Sequence, residues 1–385
     1  MILRSKTVFA LPFINYNNLL EAHSHFSFGG WVTLILLALF VYELLPETLS
    51  RRPLYQWLLG SIALCAWGML ITFMIWGYNN VSNITSLIYV LLSYVFGYNL
   101  IRDLLKAKLE KSVALLAVSS VICLIISSSG PFIITYIVFT KSFDAFLYRN
   151  ALFTYLHFQY NGFFTLAVFA LLFKLTGQNT SGKSGKYIYQ FSLVLCTSII
   201  PSLFLSYLWQ DPNLWYRIIA VAGSLLLIFC FYLFIRSAWS LRTIYRNETG
   251  VTRFLVLLSL GSFMLKIFLQ CFTIFPVIGN MIFGNRPVIM GFLHLVFLGF
   301  VTLFILACFS KKGLLNSKIK LTNIALIFFA IAVILNEILL ITQGLASIFI
   351  AGSIVFPWLL WATGILLFTG SLLIASARFQ TKKQF

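Results

Sequence analysis

Charge is scarce in this sequence. Only nine of its 385 residues are Asp or Glu, and charged residues make up 9% of the chain, whereas a typical soluble domain has roughly a quarter. Hydrophobic residues make up 61%, in long apolar runs that short polar stretches separate. This combination excludes a soluble globular protein and predicts an all-α, polytopic helical membrane protein.

The sequence also lacks the motifs of several enzyme classes. It has no GxSxG, no HExxH and no repeated pair of carboxylates, so nothing in it supports hydrolase chemistry. No CxxC spacing occurs either, and each cysteine falls in a different apolar run, as expected of small packing residues. The six cysteines are Cys65, Cys123, Cys196, Cys230, Cys271 and Cys308.

One nucleotide-binding pattern is present but lies in the wrong context. GQNTSGKS, at 177–184, matches the phosphate-binding loop. That loop works between a buried strand and a helix, whereas here it separates two apolar runs. We therefore expect a flexible connection and no nucleotide.

The apolar runs predict about eleven (eleven to twelve) transmembrane helices in a single membrane domain, 1–385. The last break, near Gly344, is the least defined, because polar residues are few between 344 and 355. The predicted spans are 20–45, 56–77, 84–101, 112–139, 150–173, 187–209, 218–235, 254–277, 288–310, 321–344 and 352–377.

The net charge of +18 reflects topology rather than nucleic-acid binding. The segments after odd-numbered spans contain 20 Lys and Arg residues, whereas the N-terminus and the segments after even-numbered spans contain 6. By the positive-inside rule, this predicts a multi-pass inner (plasma) membrane protein with its N-terminus outside and its C-terminus in the cytoplasm. The bilayer, rather than nucleic acid, is the expected partner of the basic residues.

Histidine is rare, and three of the four histidines occur in matching segments. His25 begins HFSFGGWVTL, His157 begins HFQYNGFFTL and His294 begins HLVFLGFVTL. Each has a glycine five residues later and then a Thr-Leu pair. The glycines are Gly30, Gly162 and Gly299.

This spacing predicts three pseudo-repeats of about four helices, at approximately 19–145, 146–283 and 284–385, with the last one short by a helix. The three histidines fall on spans that run inward, so they share a shallow depth near the outer face. Ionisable residues inside a membrane are costly and usually functional. On an α-helix each glycine lies about 140° from its histidine, where it suits a close helix contact or the approach of a flat ligand.

Three four-helix arcs with histidines near the outer ends of inward-running helices resemble the catalytic subunit of the heme–copper oxidase and nitric oxide reductase superfamily. That resemblance implies twelve helices in pseudo-threefold arrangement, with metal-binding histidines on the second, sixth and tenth. If this chain lacks the first helix, its spans 1, 5 and 9 match those three in order and direction.

The chain departs from the family at the copper site. The family's helix after the sixth carries a His-His pair, but span 6 here has no histidine. The family's tenth helix carries His-x-His, but span 9 has only His294, and the His-x-His is His23-Ser24-His25 on span 1. The family's copper centre cannot be assembled, so oxygen reduction of the usual kind is not expected.

Two ligand arrangements remain open. His23 and His25 point about 200° apart on a helix, so the two can serve sites on opposite sides of span 1. One site would be a bis-His heme b, for which the resemblance indicates His294 as the second ligand to His25. Alternatively, His25, His157 and His294 bind one copper or zinc ion. Glu21 either orients such a ligand or is an interfacial carboxylate near a helix start.

Two ionisable residues fall deep inside predicted spans. Lys266 lies in span 8 and Glu337 in span 10, at depths close enough for a buried ion pair. Their functional interpretation is proton movement or a charge partner for a bound anion.

Together these patterns predict a heme- or metal-binding membrane protein with an electron-transfer or NO/O2-related role, working with a redox partner or a quinone. Two alternatives belong to other classes. One is a trihistidine copper or zinc protein that handles metal or heme. The other is a transporter that uses Lys266 and Glu337.

Overall fold

The computed structural model describes residues 1–142, 144–177, 183–210, 213–246, 248–349 and 353–382. In this part of the chain, eleven helices are long and apolar enough to cross a membrane. They are Tyr16–Leu44 (α1), Pro53–Trp76 (α2), Asn80–Lys106 (α3), Lys111–Phe139 (α4), Ala145–Leu175 (α5), Gly185–Trp209 (α6), Leu214–Ser237 (α7), Gly250–Phe272 (α8), Arg286–Lys311 (α9), Lys320–Ile348 (α10) and Val355–Phe379 (α11).

The predicted all-α membrane fold is confirmed, since the eleven helices coincide with the eleven predicted spans in order and nearly in length. Single boundaries differ by up to five residues, as at Ala145, where α5 begins instead of at 150. The sequence placed one break near Gly344. There α10 continues to Ile348 and α11 begins at Val355. The 177–184 segment falls mainly outside the described residues.

Three shorter helices complete the described helices. Glu47–Ser50 follows α1, Pro276–Phe283 precedes α9, and Ile2–Val8 precedes α1. The last of these packs on α11. Phe9, just after it, makes edge-on contacts with Trp358 and Trp361.

The chain divides into two compact units. The larger unit contains Glu21–Leu241 and Gln270–Pro276, and the smaller unit contains Met1–Leu20, Arg242–Leu269 and Val277–Phe385. The single-domain organisation and the three pseudo-repeats stay predictions.

Helix α5 is the central element of the larger unit. Nine consecutive residues, Thr165–Phe173, are buried. A helix that is apolar all round belongs in an interior, and α4 and α6 are among the helices that cover α5. The histidine segment of α5 is therefore enclosed by protein rather than lipid.

A second feature of the larger unit is a network of charged side chains around Asp103. The Asp103 carboxylate is fully buried, and it accepts hydrogen bonds from Arg52 at 3.0 Å and from the Tyr55 hydroxyl at 2.9 Å. The side chain of Arg102 adds a third contact at 3.3 Å. A buried carboxylate is tolerated when it is paired in this way, so this cluster ties α2 to α3.

Candidate functional site: the histidine segments

Each of the three histidine helices changes its backbone hydrogen bonding directly after the histidine. The π-helical stretches are Phe26–Thr33, Phe158–Phe164 and Leu295–Thr302, and the residue before each is His25, His157 or His294. π-Helical turns are rare, and when they interrupt an α-helix they frequently mark functional sites. The three segments therefore share backbone structure as well as sequence.

The three histidine helices also begin alike. The side chains of Asn15, Asp144 and Asn285 each accept hydrogen bonds from backbone N–H groups in the first turn that follows. Such caps satisfy donors that have no partner within the helix. The sequence contains this signal, an Asn or Asp residue 9 to 13 positions before each histidine. It was missed because the compared segments begin at the histidines.

The glycines five residues after the three histidines lie at helix contacts. A Cβ atom on Gly162 would lie 2.6 Å from Cys123 Cβ on α4, and one on Gly299 would lie 2.8 Å from the Ser262 hydroxyl on α8. Both partners belong to the preceding helix. Gly30 has no such helix before it, and a Cβ there would meet Phe26 of its own helix at 2.7 Å and Ala66 on α2 at 3.2 Å.

The predicted angle between each glycine and its histidine is wrong, because it assumed α-helical geometry. In a π-helix the hydrogen bonds run from residue i to i+5, so each turn holds more residues. The glycine five positions after the histidine therefore returns toward the histidine's face. The Thr165 hydroxyl follows the same period, donating to the Tyr160 carbonyl at 2.6 Å.

His157 is a fully buried core residue with both ring nitrogens engaged. Its Nε2–H donates to the carbonyl of Ile199 on α6 at 2.8 Å, and Nδ1 accepts from the Asn161 amide at 3.0 Å. A metal ligand needs a nitrogen lone pair, and these bonds occupy the one that a neutral imidazole has. The surroundings of His157 therefore do not fit its prediction as a metal or heme ligand.

His294 has different surroundings. It is half-buried, and its Nδ1–H donates to the carbonyl of Met290 at 2.8 Å. This bond assigns the proton to Nδ1 and the lone pair to Nε2. Metal-bound histidines characteristically donate their second ring N–H to a backbone carbonyl or a carboxylate in the same way. The residue therefore fits an axial heme ligand.

His25 lies in a small aromatic and polar cluster. Its ring stacks on Phe73, with 4.2 Å between centroids and 9° between planes. Its Nε2 lies 3.4 Å from the Tyr78 hydroxyl, which in turn donates to Glu21 at 3.1 Å. The His25 contact is long for a hydrogen bond, so exchanging it for a bond to iron costs little. His25 fits a ligand, although less closely than His294.

Glu21 is thus connected to His25 through Tyr78, one link further away than predicted. Tyr78 was missed because it lies between spans, in a loop where Gly77 has a φ of 63°. Burial and the neighbouring Glu21 charge raise the pKa of Tyr78, so its hydroxyl keeps its proton. His23, two residues before His25, is exposed.

The trihistidine ion site is not assembled. Within the described residues, no group of three or more His, Cys, Asp and Glu side chains is placed to hold a metal ion. None of the six cysteines, which all lie in the described part of the chain, is in a disulfide, and the contact of Cys123 with Gly162 is of the packing kind expected. In addition, the hydrogen bonds of His157 occupy the lone pair that a metal ion would need.

The predicted Lys266–Glu337 pair is also wrong. Lys266 is 2% exposed, and its Nζ lies 5.8 Å from the centre of the Phe263 ring. Glu337 instead accepts a hydrogen bond from Asn336 at 2.9 Å and is acted on electrostatically by Arg4. Arg4 was missed because it precedes the first span.

Comparison with known proteins identifies the fold. No protein-family model matches the sequence, and no curated protein matches it. A cryo-EM structure of a heme-copper terminal oxidase dimer does match, with a TM-score of 0.69 at 14% sequence identity, over 99% of this chain and 79% of that one. The chain therefore shares its fold with that oxidase chain, and the predicted distant resemblance to the oxidase catalytic subunit is confirmed at the level of fold.

Proposed function

We propose that this protein binds a heme b through its histidine segments and transfers electrons within the membrane. The observation that carries the proposal is the Nδ1–H bond of His294 to Met290, at the point where α9 becomes π-helical. This bond places the proton on Nδ1, which is the tautomer in which a histidine binds heme iron through Nε2. The oxidase-like fold provides the architectural support.

The second axial ligand in this proposal is His25, which the oxidase resemblance indicates. Its polar neighbours, Tyr78 and Glu21, hold the first turns of α1 in place. A heme held by these two histidines would supply one-electron transfer. An oxygen-reducing centre of the family kind is not proposed, since α6 contains no histidine.

The membrane setting is part of the proposal. The distribution of basic residues favours an inner membrane, with His25 and His294 near its outer side. The half-buried His294 then lies at a depth where a quinone or an extracytoplasmic redox protein can exchange electrons.

The test is an absorption spectrum of the full-length protein, purified in mild detergent with heme supplied during expression, together with metal analysis. We expect a Soret band and about one iron per chain. His294→Ala and His25→Ala should each abolish the band, since loss of one axial ligand weakens the site. His23→Ala is the matched control on the same helix and should retain it.

The outcomes separate the alternatives. A colourless protein with stoichiometric zinc or copper would overturn the proposal in favour of metal handling. A Soret band that survives both His294→Ala and His25→Ala would place the heme elsewhere. Circular dichroism of each variant distinguishes a lost ligand from a lost fold.

A further inference from the structure

The two carboxylate oxygens of Glu337 differ in their hydrogen bonding. The residue is 7% exposed, and its Oε1 accepts the hydrogen bond from Asn336. Its other oxygen, Oε2, is buried without a hydrogen-bond partner among the described residues. By helix rise, Glu337 lies about 16 Å from the Ile348 end of α10. An ionised carboxylate with an unsatisfied oxygen at such a place is costly, so the structure points to something that binds at Oε2.

A hydrogen-bonded chain connects this carboxylate to a cation. The Arg4 guanidinium donates to Asn336 Oδ1 at 2.6 Å, and the Asn336 amide donates to Glu337 Oε1 at 2.9 Å. Asn336 is fully buried. The positive charge of Arg4 therefore stabilises the ionised carboxylate through the Asn336 amide. This chain of hydrogen bonds ends at Oε1 and does not include Oε2.

Arg4 is held firmly enough for this role. It also donates to the carbonyl of Leu360 at 2.7 Å and to the Thr363 hydroxyl at 3.0 Å. The same short helix, Ile2–Val8, receives a hydrogen bond at Ser5 from Trp361. The helix is thus fastened to α11, and its arginine reaches from there to α10.

The other groups around Glu337 can be placed by helix register. In the antiparallel pair of α9 and α10, Gly291 faces Leu340 and Val288 faces Gly344. One turn further along, His294 comes to the level of Glu337 and is the titratable side chain that α9 brings there. From α11, the network receives only neutral groups, the Leu360 carbonyl and the Thr363 hydroxyl.

We propose that Glu337 is a proton-exchange site inside the membrane, with Oε2 as the atom that takes the proton. An O–H bond forms at Oε2 as one breaks in a hydronium ion, which leaves as water. The Arg4–Glu337 pair then changes from neutral to a net charge of +1. Arg4 opposes this change, so the short N-terminal helix controls how readily the proton binds. The proposal does not depend on heme.

Infrared difference spectroscopy of the full-length protein, recorded between alkaline and acidic pH, tests the proposal. We expect a carbonyl stretch of a protonated, buried carboxyl to appear on acidification. Glu337→Gln should remove this band, whereas Glu47→Gln, at an exposed carboxylate, should not. Glu337→Asp keeps a carboxyl group and should shift the frequency of the band. This second variant keeps the test decisive if Glu337→Gln folds poorly.

The role of Arg4 is tested in the same measurement. Arg4→Gln removes the charge that favours the carboxylate, so the band should be several-fold stronger at a given intermediate pH. Arg4→Lys keeps the charge and should resemble the parent protein more closely. A band that persists in Glu337→Gln overturns the site, and an Arg4→Gln spectrum identical to the parent's overturns the control by the N-terminal helix.

Discussion

At the scale of single residues, the three matching histidines have unequal chemistry. Sequence alignment treats His25, His157 and His294 as equivalents, but their hydrogen bonds separate them. The Nε2–H of His157 donates a hydrogen bond to the Ile199 carbonyl, and its Nδ1 accepts one from the Asn161 amide, as expected of a structural residue. The Nδ1–H of His294 donates a hydrogen bond to the Met290 carbonyl of its own helix, as the second ring N–H of metal-bound histidines does. Segments with similar sequences can therefore place their histidines in different hydrogen-bonding surroundings.

This division predicts the effect of changing His157. His157→Phe fills a similar volume but leaves the Ile199 carbonyl and the Asn161 amide without this partner. Each buried group left unsatisfied costs about 1–3 kcal/mol, so we expect a lower midpoint of thermal unfolding in detergent. Heme content per folded molecule should not change.

One combination of results would contradict this prediction for His157. A His157→Phe protein that keeps its thermal midpoint but loses its cofactor would make His157 a ligand. His294→Phe serves as the comparison, because there we expect the cofactor to be lost.

At the scale of elements, the helix contacts depend on glycines that face a neighbouring helix. A methyl group on Gly162 would overlap Cys123, whereas one on Gly261 of α8 would meet nothing within 4 Å. Gly162→Ala should therefore destabilise the protein by about 1–3 kcal/mol through overpacking. Gly261→Ala should be neutral or slightly stabilising, since alanine is the better helix former.

Thermal or denaturant unfolding of the two variants in the same detergent checks this prediction. Equal stabilities would mean that the close contact of α4 with α5 relaxes without cost. Gly162→Ala combined with Cys123→Gly, which removes both the Cβ and the Sγ atoms, should recover part of the loss relative to Cys123→Gly alone if the overlap is the cause.

The helices themselves were predictable, because hydropathy alone determines where a chain can cross a membrane. The predicted span 112–139, for example, differs by one residue from Lys111–Phe139. The π-helical turns were not predictable, since they differ from α-helix in hydrogen-bond offset and not in apolar content. Arg4 and Asn336 lie 332 positions apart, and only tertiary structure brings such residues together.

At the scale of the whole molecule, the odd number of spans and the distribution of basic residues together predict topology. If all eleven helices cross the membrane, we expect the two ends of the described chain on opposite faces. A reporter fused after residue 385 should be active in the cytoplasm, as should one inserted in the loop 107–110. A reporter inserted in the loop 77–79 should be active outside.

Reversed reporter activities would invert this topology and move His25 and His294 to the cytoplasmic side. The electron-transfer proposal would then need a cytoplasmic partner. The matched insertions at 77–79 and 107–110 flank the same helix, α3, so opposite signals from them cannot come from differences in expression alone.

The π-helical stretch in α5 bears on how the chain can change length during evolution. Removing one residue between His157 and Thr165 would let the hydrogen bonds return to the α pattern without interrupting the helix. Because a π turn holds more residues than an α turn, the shortened α-helical stretch would leave the buried run Thr165–Phe173 close to its present orientation. A single residue missing here should therefore be tolerated better in homologues than one missing within Thr165–Phe173, where the rest of the helix would rotate by about 100°.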